Sequence, residues 1–289
     1  MANLRAIRMR IKSVESTRQI TKSMKMVAAA KLRKTQLAFG RLRDFAEKGG
    51  AMLRTMAGTA EGGKNPFLRP HAEAAKVCYV LIVGNRGLCG TYNHSLLRYL
   101  EALRQEESRE TLVYSVGRWG KDLIGPVDGH FEISDTPTQE EAAALTQALK
   151  ELYCSGGADE IVLVYQQFKS VLQQNPGAKT LLPLALSEGE GESQVIYEPD
   201  AEAVLDRLTE LYLENTVRAA LLEARTGEHA ARMTAMTAAA DNTEELIGEL
   251  TLELNHARQA AITTEISEIV GGAAALRSVS RGGESESNA

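Results

Sequence analysis

At 289 residues, 44% hydrophobic and 25% charged, the chain can build one or two cored domains, and no run nears the 18 consecutive apolar residues of a membrane-spanning helix. Three widely spaced cysteines (Cys78, Cys89 and Cys154) form no metal-binding pattern and read as reduced thiols in a cytosol-facing compartment. Net charge is only −5, yet residues 1–65 hold 15 Lys and Arg against 4 Asp and Glu while residues 200–289 hold 7 against 16, so the two ends are charge-complementary.

All seven prolines lie between Pro66 and Pro199, and all eight methionines lie in the flanks, which divides the chain into helix, globule and helix. Residues 1–65 carry an apolar seam through Ile7, Ile11 and Val14, then Ile20, Met24 and Val27, then Leu32, Phe39 and Leu42. Steps of three and four predict a coiled-coil helix, with a slip in the heptads between Val14 and Ile20. An Arg-rich, acid-poor amphipathic start is also how an organellar transit peptide reads, but this pattern runs on for some 60 residues.

Between 66 and 199 the pattern becomes α/β. Strands are predicted at 77–83, 111–116 and 160–168, with an edge strand at 181–186, where Pro183 cannot donate to a ladder. Helices fall between them, at about 93–106, 118–124 and 138–154. That alternation predicts a small parallel or mixed sheet covered by helices, a Rossmann-like central domain. The acidic stretch 187–193 reads as a surface loop, and Asp200 as the cap of the next helix.

Residues 200–276 read as one helix, free of proline, with apolar residues three and four apart at Val204, Leu208 and Leu211, at Ile247, Leu250, Leu254, Ala257 and Ala261, and at Ile262, Ile266 and Ile269. At ~1.5 Å per residue it would be about 110 Å long, against about 35 Å for a compact middle domain. A projecting antiparallel coiled coil of the two terminal helices is expected. Its tip, Ile269 to Leu276, carries no charge and needs a protein sheath. Residues 277–289 read as a disordered tail.

The loop Gly84-Asn85-Arg86-Gly87-Leu88-Cys89-Gly90 sits after a strand and before a helix, the place for a phosphate cradle. It has neither the dinucleotide glycine spacing nor a G-K-[ST], and a tight turn packing helix on sheet explains its glycines equally well. The five histidines lack ligand spacing and none sits beside a candidate Ser or Cys nucleophile, so no catalytic residue and no metal site is assigned. The basic N-terminal residues could grip phosphates of a nucleic acid, but no aromatic interleaves with them before Phe39; an acidic protein surface suits them better.

Three stretches carry a family likeness: IKSVESTRQITKSMKMVAAAKL (11–32), RGLCGTYN (86–93), and EHAARMTAMTAAADN through NHARQAAITTEISEIVGGAAAL (228–276), with LLPL and YEPD between them. On these the chain resembles the γ-subunit family of F-type ATP synthases, over nearly its whole length and in the same order. The resemblance implies a central stalk without catalytic, nucleotide or metal site and without a cofactor. Its implied partners are the α and β subunits of the F1 hexamer, the ε subunit and the c-ring, with no nucleic acid. Met24, Arg33, Arg232, Arg258, Gln259, Thr263 and Glu268 match rotor–stator positions, Tyr197 and Glu198 a foot facing the c-ring and ε, and Ile269, Val270, Ala273 and Leu276 a tip held in a collar. It implies a peripheral membrane protein on the cytoplasmic face of a bacterial plasma membrane rather than a mitochondrial matrix face. The chain departs from the family at Gly84-Asn85 before RGLCG, at Leu254-Asn255-His256, where an aromatic and a fixed charge are usual, and in its tail beyond Leu276.

Overall fold

The structure, a computed structural model, describes residues 2–57, 65–71, 74–184, 198 and 200–285. The acidic stretch 187–193 and Tyr197 lie outside the described residues, as does the side chain of Leu276. Elements follow in the order α1 (Ala2–Ala57), β1 (Lys76–Ile82), α2 (Tyr92–Glu106), β2 (Glu110–Val116), α3 (Trp119–Ile124), β3 (Gly129–Phe131), α4 (Gln139–Cys154), β4 (Glu160–Phe168), β5 (Gln174–Leu182) and α5 (Ala201–Ser285). By contacts the chain forms two units, one of residues 24–236 and one joining 1–23 to 237–289.

In the first unit the five strands lie in the order β3-β2-β1-β4-β5. β1 pairs in parallel with β2 (Tyr79↔Val113) and with β4 (Tyr79↔Val162), and β3 adds in parallel to β2. β1 and β4 are covered on both faces, which is why they read as unbroken apolar runs rather than alternating ones. One face packs on Leu145, Leu149 and Tyr153 of α4 and on Leu213, Val217 and Leu221 of α5. The other packs on Tyr92, Leu96 and Leu100 of α2, with Trp119 of α3 against it. α4 starts on a capping box, in which Thr138 and Glu141 each accept from the other's backbone N–H. At the start of α5, Asp200 accepts from the Ala203 N–H at 2.8 Å, as its cap position requires.

The edge strand differs from the reading at 181–186. β5 spans Gln174–Leu182 and runs antiparallel to β4, with Pro176 opposite Gln166. A proline and six polar or small neighbours hid it, yet an edge strand tolerates both because one side of its backbone need not pair. The three-residue β3 is too short to show a period of two.

The two long helices run antiparallel. Leu53 and Met56 of α1 pack with Leu205 and Val204 of α5, whereas Phe39 and Arg43, earlier in α1, share a cavity of about 440 Å³ with Ala219 and Glu223, later in α5. In the second unit the Arg18 guanidinium lies 3.8 Å from the Glu244 carboxylate.

The seam of α1 corrects the expected slip. Ile7, Thr21, Ala28, Leu32, Thr35 and Phe39 are buried, and Leu4, Ile11, Val14, Arg18 and Lys25 half-buried, so steps of three and four continue through the polar Arg18, Thr21 and Lys25 without a break. Ile20 and Val27, assigned to the seam from hydrophobicity, are each 57% exposed. On α5 the matching row runs Met236, Ala240, Thr243, Ile247, Leu250, Leu254, Ala257 and Ala261, all buried or half-buried. Helix α5 continues to Ser285 rather than stopping at Leu276, so residues 277–285, read as a disordered tail, are helical.

Candidate functional site

Two features stand out, one inside the first unit and one on the surface of the second. The interior one is where the loop after β1 meets α5. Arg225, Glu228 and Arg232 project from one side of α5, three and four residues apart, and are all but fully buried. Glu228 accepts from Arg225 Nη1 at 2.8 Å and from Arg232 Nη2 at 2.6 Å, and from the backbone N–H groups of Asn85 and Arg86 at 3.3 Å each. Arg225 also donates to Val83 O (3.1 Å) and Asn85 Oδ1 (2.8 Å), and Arg232 to Arg86 O (2.8 Å) and Gly87 O (3.2 Å).

This arrangement explains the first glycine of the loop. A Cβ on Gly84 would lie 3.1 Å from Glu228 Cδ and 3.2 Å from Asn93 Oδ1, which accepts the Gly84 N–H. Burial alone would raise the Glu228 pKa, but Arg225 and Arg232 outweigh it and hold the carboxyl below its usual range. Beside it His229 is 2% exposed, and burial pushes its pKa down to about 4, so the ring is neutral at neutral pH. The phosphate cradle considered from the loop is thus occupied by a side chain of the same chain.

The surface feature is the distal part of α5. From Ile262 to Ala273 every residue is exposed, including Ile262, Ile266 (56%), Ile269 (66%) and Val270. At 100° per residue, Gln259, Ile262, Ile266, Ile269 and Ala273 fall on one face, turned away from the seam. Arg258 and Thr263 flank that face and are exposed, while exposed Glu268 lies seven residues after Ala261, on the seam side. Counting antiparallel from the Arg18–Glu244 pair brings the start of α1 opposite about residue 260, which is where burial along α5 ceases.

Of the remaining expected positions, Met24 is half-buried and Arg33 exposed on α1. Arg232, matched to a rotor–stator position, is 7% exposed, and its donors are taken by the loop and Glu228. Glu198 is exposed and lines an apolar hollow of about 340 Å³ with Met52, Val204, Leu208 and Leu211. Among the described residues no group of His, Cys, Asp and Glu is placed to hold a metal ion, and the three cysteines are unpaired.

A family model described as ATP synthase matches residues 3–276. The ATP synthase gamma chain of Moorella thermoacetica is 43% identical over 286 residues, covering 96% of this chain and all of that one, and that of Desulfitobacterium hafniense is 42% identical over 281 residues with the same coverage. The chain belongs to the ATP synthase gamma chain family. Solved structures agree in fold. The rotor of Euglena gracilis mitochondrial ATP synthase superposes with a TM-score of 0.65 at 20% identity, covering 90% of this chain and 99% of that one. A central stalk/c-ring structure of the Tetrahymena thermophila mitochondrial enzyme gives 0.59 at 26% identity over 76% of this chain and 99% of the other.

Within this gamma-chain fold, sequence reasoning named the loop that holds Asn85 but missed its partners Arg225 and Glu228. A signal was present: charges of sign plus, minus, plus at 225, 228 and 232, one helical face, inside a stretch otherwise of small and apolar residues.

Proposed function

We propose that this chain is the rotor of an F-type ATP synthase, the central stalk that turns with the membrane c-ring and drives the β-subunit sites through successive conformations. It carries no catalytic site of its own; the nucleotide chemistry belongs to the α and β subunits. The mechanism needs only that one asymmetric shaft present different faces to three otherwise equivalent subunits, so that its differential contact energy biases each site between open and closed.

The observation that carries this reading, beside family membership, is the fully exposed run Ile262–Ala273 of α5, with its apolar face turned from the seam. A chain that leaves four large β-branched residues uncovered needs a partner that covers them. Arg258, Gln259, Thr263 and Glu268 then meet the ring, as do Met24 and Arg33 on α1, and Ile269, Val270, Ala273 and Leu276 lie in its collar. Glu198, by the apolar hollow of Met52 and Leu208, faces the c-ring and the ε subunit, the side of the chain to which Tyr197 is also assigned. No described helix is long and apolar enough to cross a membrane, so the c-ring would hold the chain at the membrane, on the cytoplasmic face of a bacterial plasma membrane.

Co-expression with α and β subunits tests this. The chain should co-purify with a hexamer whose ATP hydrolysis requires it, and should show no hydrolysis alone. Turnover by the purified chain, or an α–β hexamer indifferent to it, would overturn the reading.

A further inference from the structure

We infer that the loop 84–87, together with Arg225 and Arg232, is an oxyanion-binding site whose resident ligand is the chain's own Glu228 carboxylate. Open α/β sheets take anions outside the carboxyl ends of their strands, where the strand order reverses and loop N–H groups converge. Here the order reverses at β1: β2 and β3 lie to one side, β4 and β5 to the other. The loop leaving β1 turns the Asn85 and Arg86 N–H groups onto Glu228 Oε2 and Oε1. Two guanidinium groups close on the same two oxygens from α5. Four donors from two elements thus surround one carboxylate.

The charge balance points the same way. Two guanidinium groups, 1% and 8% exposed, face a single carboxylate that is 1% exposed, so this interior keeps an excess positive charge. His229 adds none, and Asp135 is engaged by Lys31 and Arg86. A buried excess of positive charge binds an anion strongly. In this chain the anion is tethered, and the position that holds a free ligand in other sheets of this class moors α5 to β1 instead. Glu228→Ala removes one methylene and the carboxylate, the atoms of an acetate ion, and leaves every donor in place.

The test uses the full chain carrying Glu228→Ala, with thermal unfolding followed in sodium acetate and in sodium chloride at equal ionic strength. The variant should melt well below the parent in chloride, and acetate should raise its melting temperature saturably, recovering more than half of the loss, while the parent does not respond. Backbone amide resonances of Asn85 and Arg86 should shift with the same acetate dependence in the variant. Glu228→Gln, which fills the volume without the charge, should be indifferent to acetate, and adding Arg232→Met to Glu228→Ala should abolish the saturable response. Should Glu228→Ala not fold in chloride, refolding yield becomes the readout, and acetate-dependent recovery supports the site. Equal behaviour in the two salts, by melting, amide shift or yield, overturns it.

Discussion

Replacing both Ile266 and Ile269 by serine isolates the exposed face of α5. The two side chains are 56% and 66% exposed. Fully burying an isoleucine is worth about 2–3 kcal/mol, so covering what remains exposed of each is worth roughly 1.5 kcal/mol and the pair about 3 kcal/mol. Serine and isoleucine have similar helix propensities, and exposed substitutions shift stability by only about 0.5 kcal/mol, so the chain by itself should unfold almost as before. The loss should appear only in assembly, as an approximately 100-fold faster dissociation from the α–β hexamer, since interface changes act mainly on the off-rate. Dissociation of labelled chain from the assembled hexamer, beside a denaturant melt of the chain alone, gives both numbers. The reasoning fails if the off-rate is unchanged, or if the melt of the chain alone shifts by several kcal/mol, which would mean these residues are already covered within the chain.

Other expectations follow from the buried cluster and from two glycines. Arg225→Met should destabilise the chain by about 3–5 kcal/mol in a denaturant melt, because Glu228 stays buried with a partner gone, together with the bonds to Val83 O and Asn85 Oδ1. Two glycines should respond with opposite signs to alanine. Gly248 lies in a helix with open space around its Cβ position and should gain about 1 kcal/mol, while Gly117, at φ +108° with Val83 O 2.5 Å from a Cβ, should lose more than that. His229 makes a pH prediction: with a folded pKa of about 4 against about 6.5 unfolded, the unfolded chain takes the proton first. Its contribution is therefore whole above pH 6.5 and lost as pH falls toward 4, about 3 kcal/mol across that window, and melts of His229→Gln should show a correspondingly shallower fall.

The α/β order, the two long helices and the strands β1, β2 and β4 were legible because the helices repeat apolar residues three and four apart and these strands are short apolar, β-branched runs. β5 was not, because Pro176, Gly177 and Lys179 have no reason to form a strand until β4 offers a partner. The glycine loop was legible as an anion cradle but not its occupant. Glu228 lies more than 140 residues from Asn85 in sequence, and only the fold brings them together. Arg232 was matched to a rotor–stator position by a family motif alone, and its pairing with a buried Glu228 that also holds Arg225 could not be read from that motif.

The mistaken seam of α1 carries physical information of its own. Hydrophobicity alone put Ile20 and Val27 in the contact with α5, where they would have forced a slip after Val14. The buried row instead keeps its heptad by accepting Arg18 and Thr21, and Thr21 satisfies its hydroxyl by donating to Arg18 O at 2.9 Å. A helix that needed only one partner would have had no reason to place polar residues in that row and β-branched apolar ones, seven residues apart, on the opposite side. The same division holds on α5, where Ala257 and Ala261 face the seam and Ile262, Ile266 and Ile269 do not. Both long helices therefore carry more apolar surface than their own pairing can cover, and a period search tuned to one stripe must misassign one of two. Large apolar side chains left outside the intrachain seam are what a shaft gripped by other subunits requires, and the alanines within it, Ala28, Ala240, Ala257 and Ala261, let the two helices approach closely at those levels.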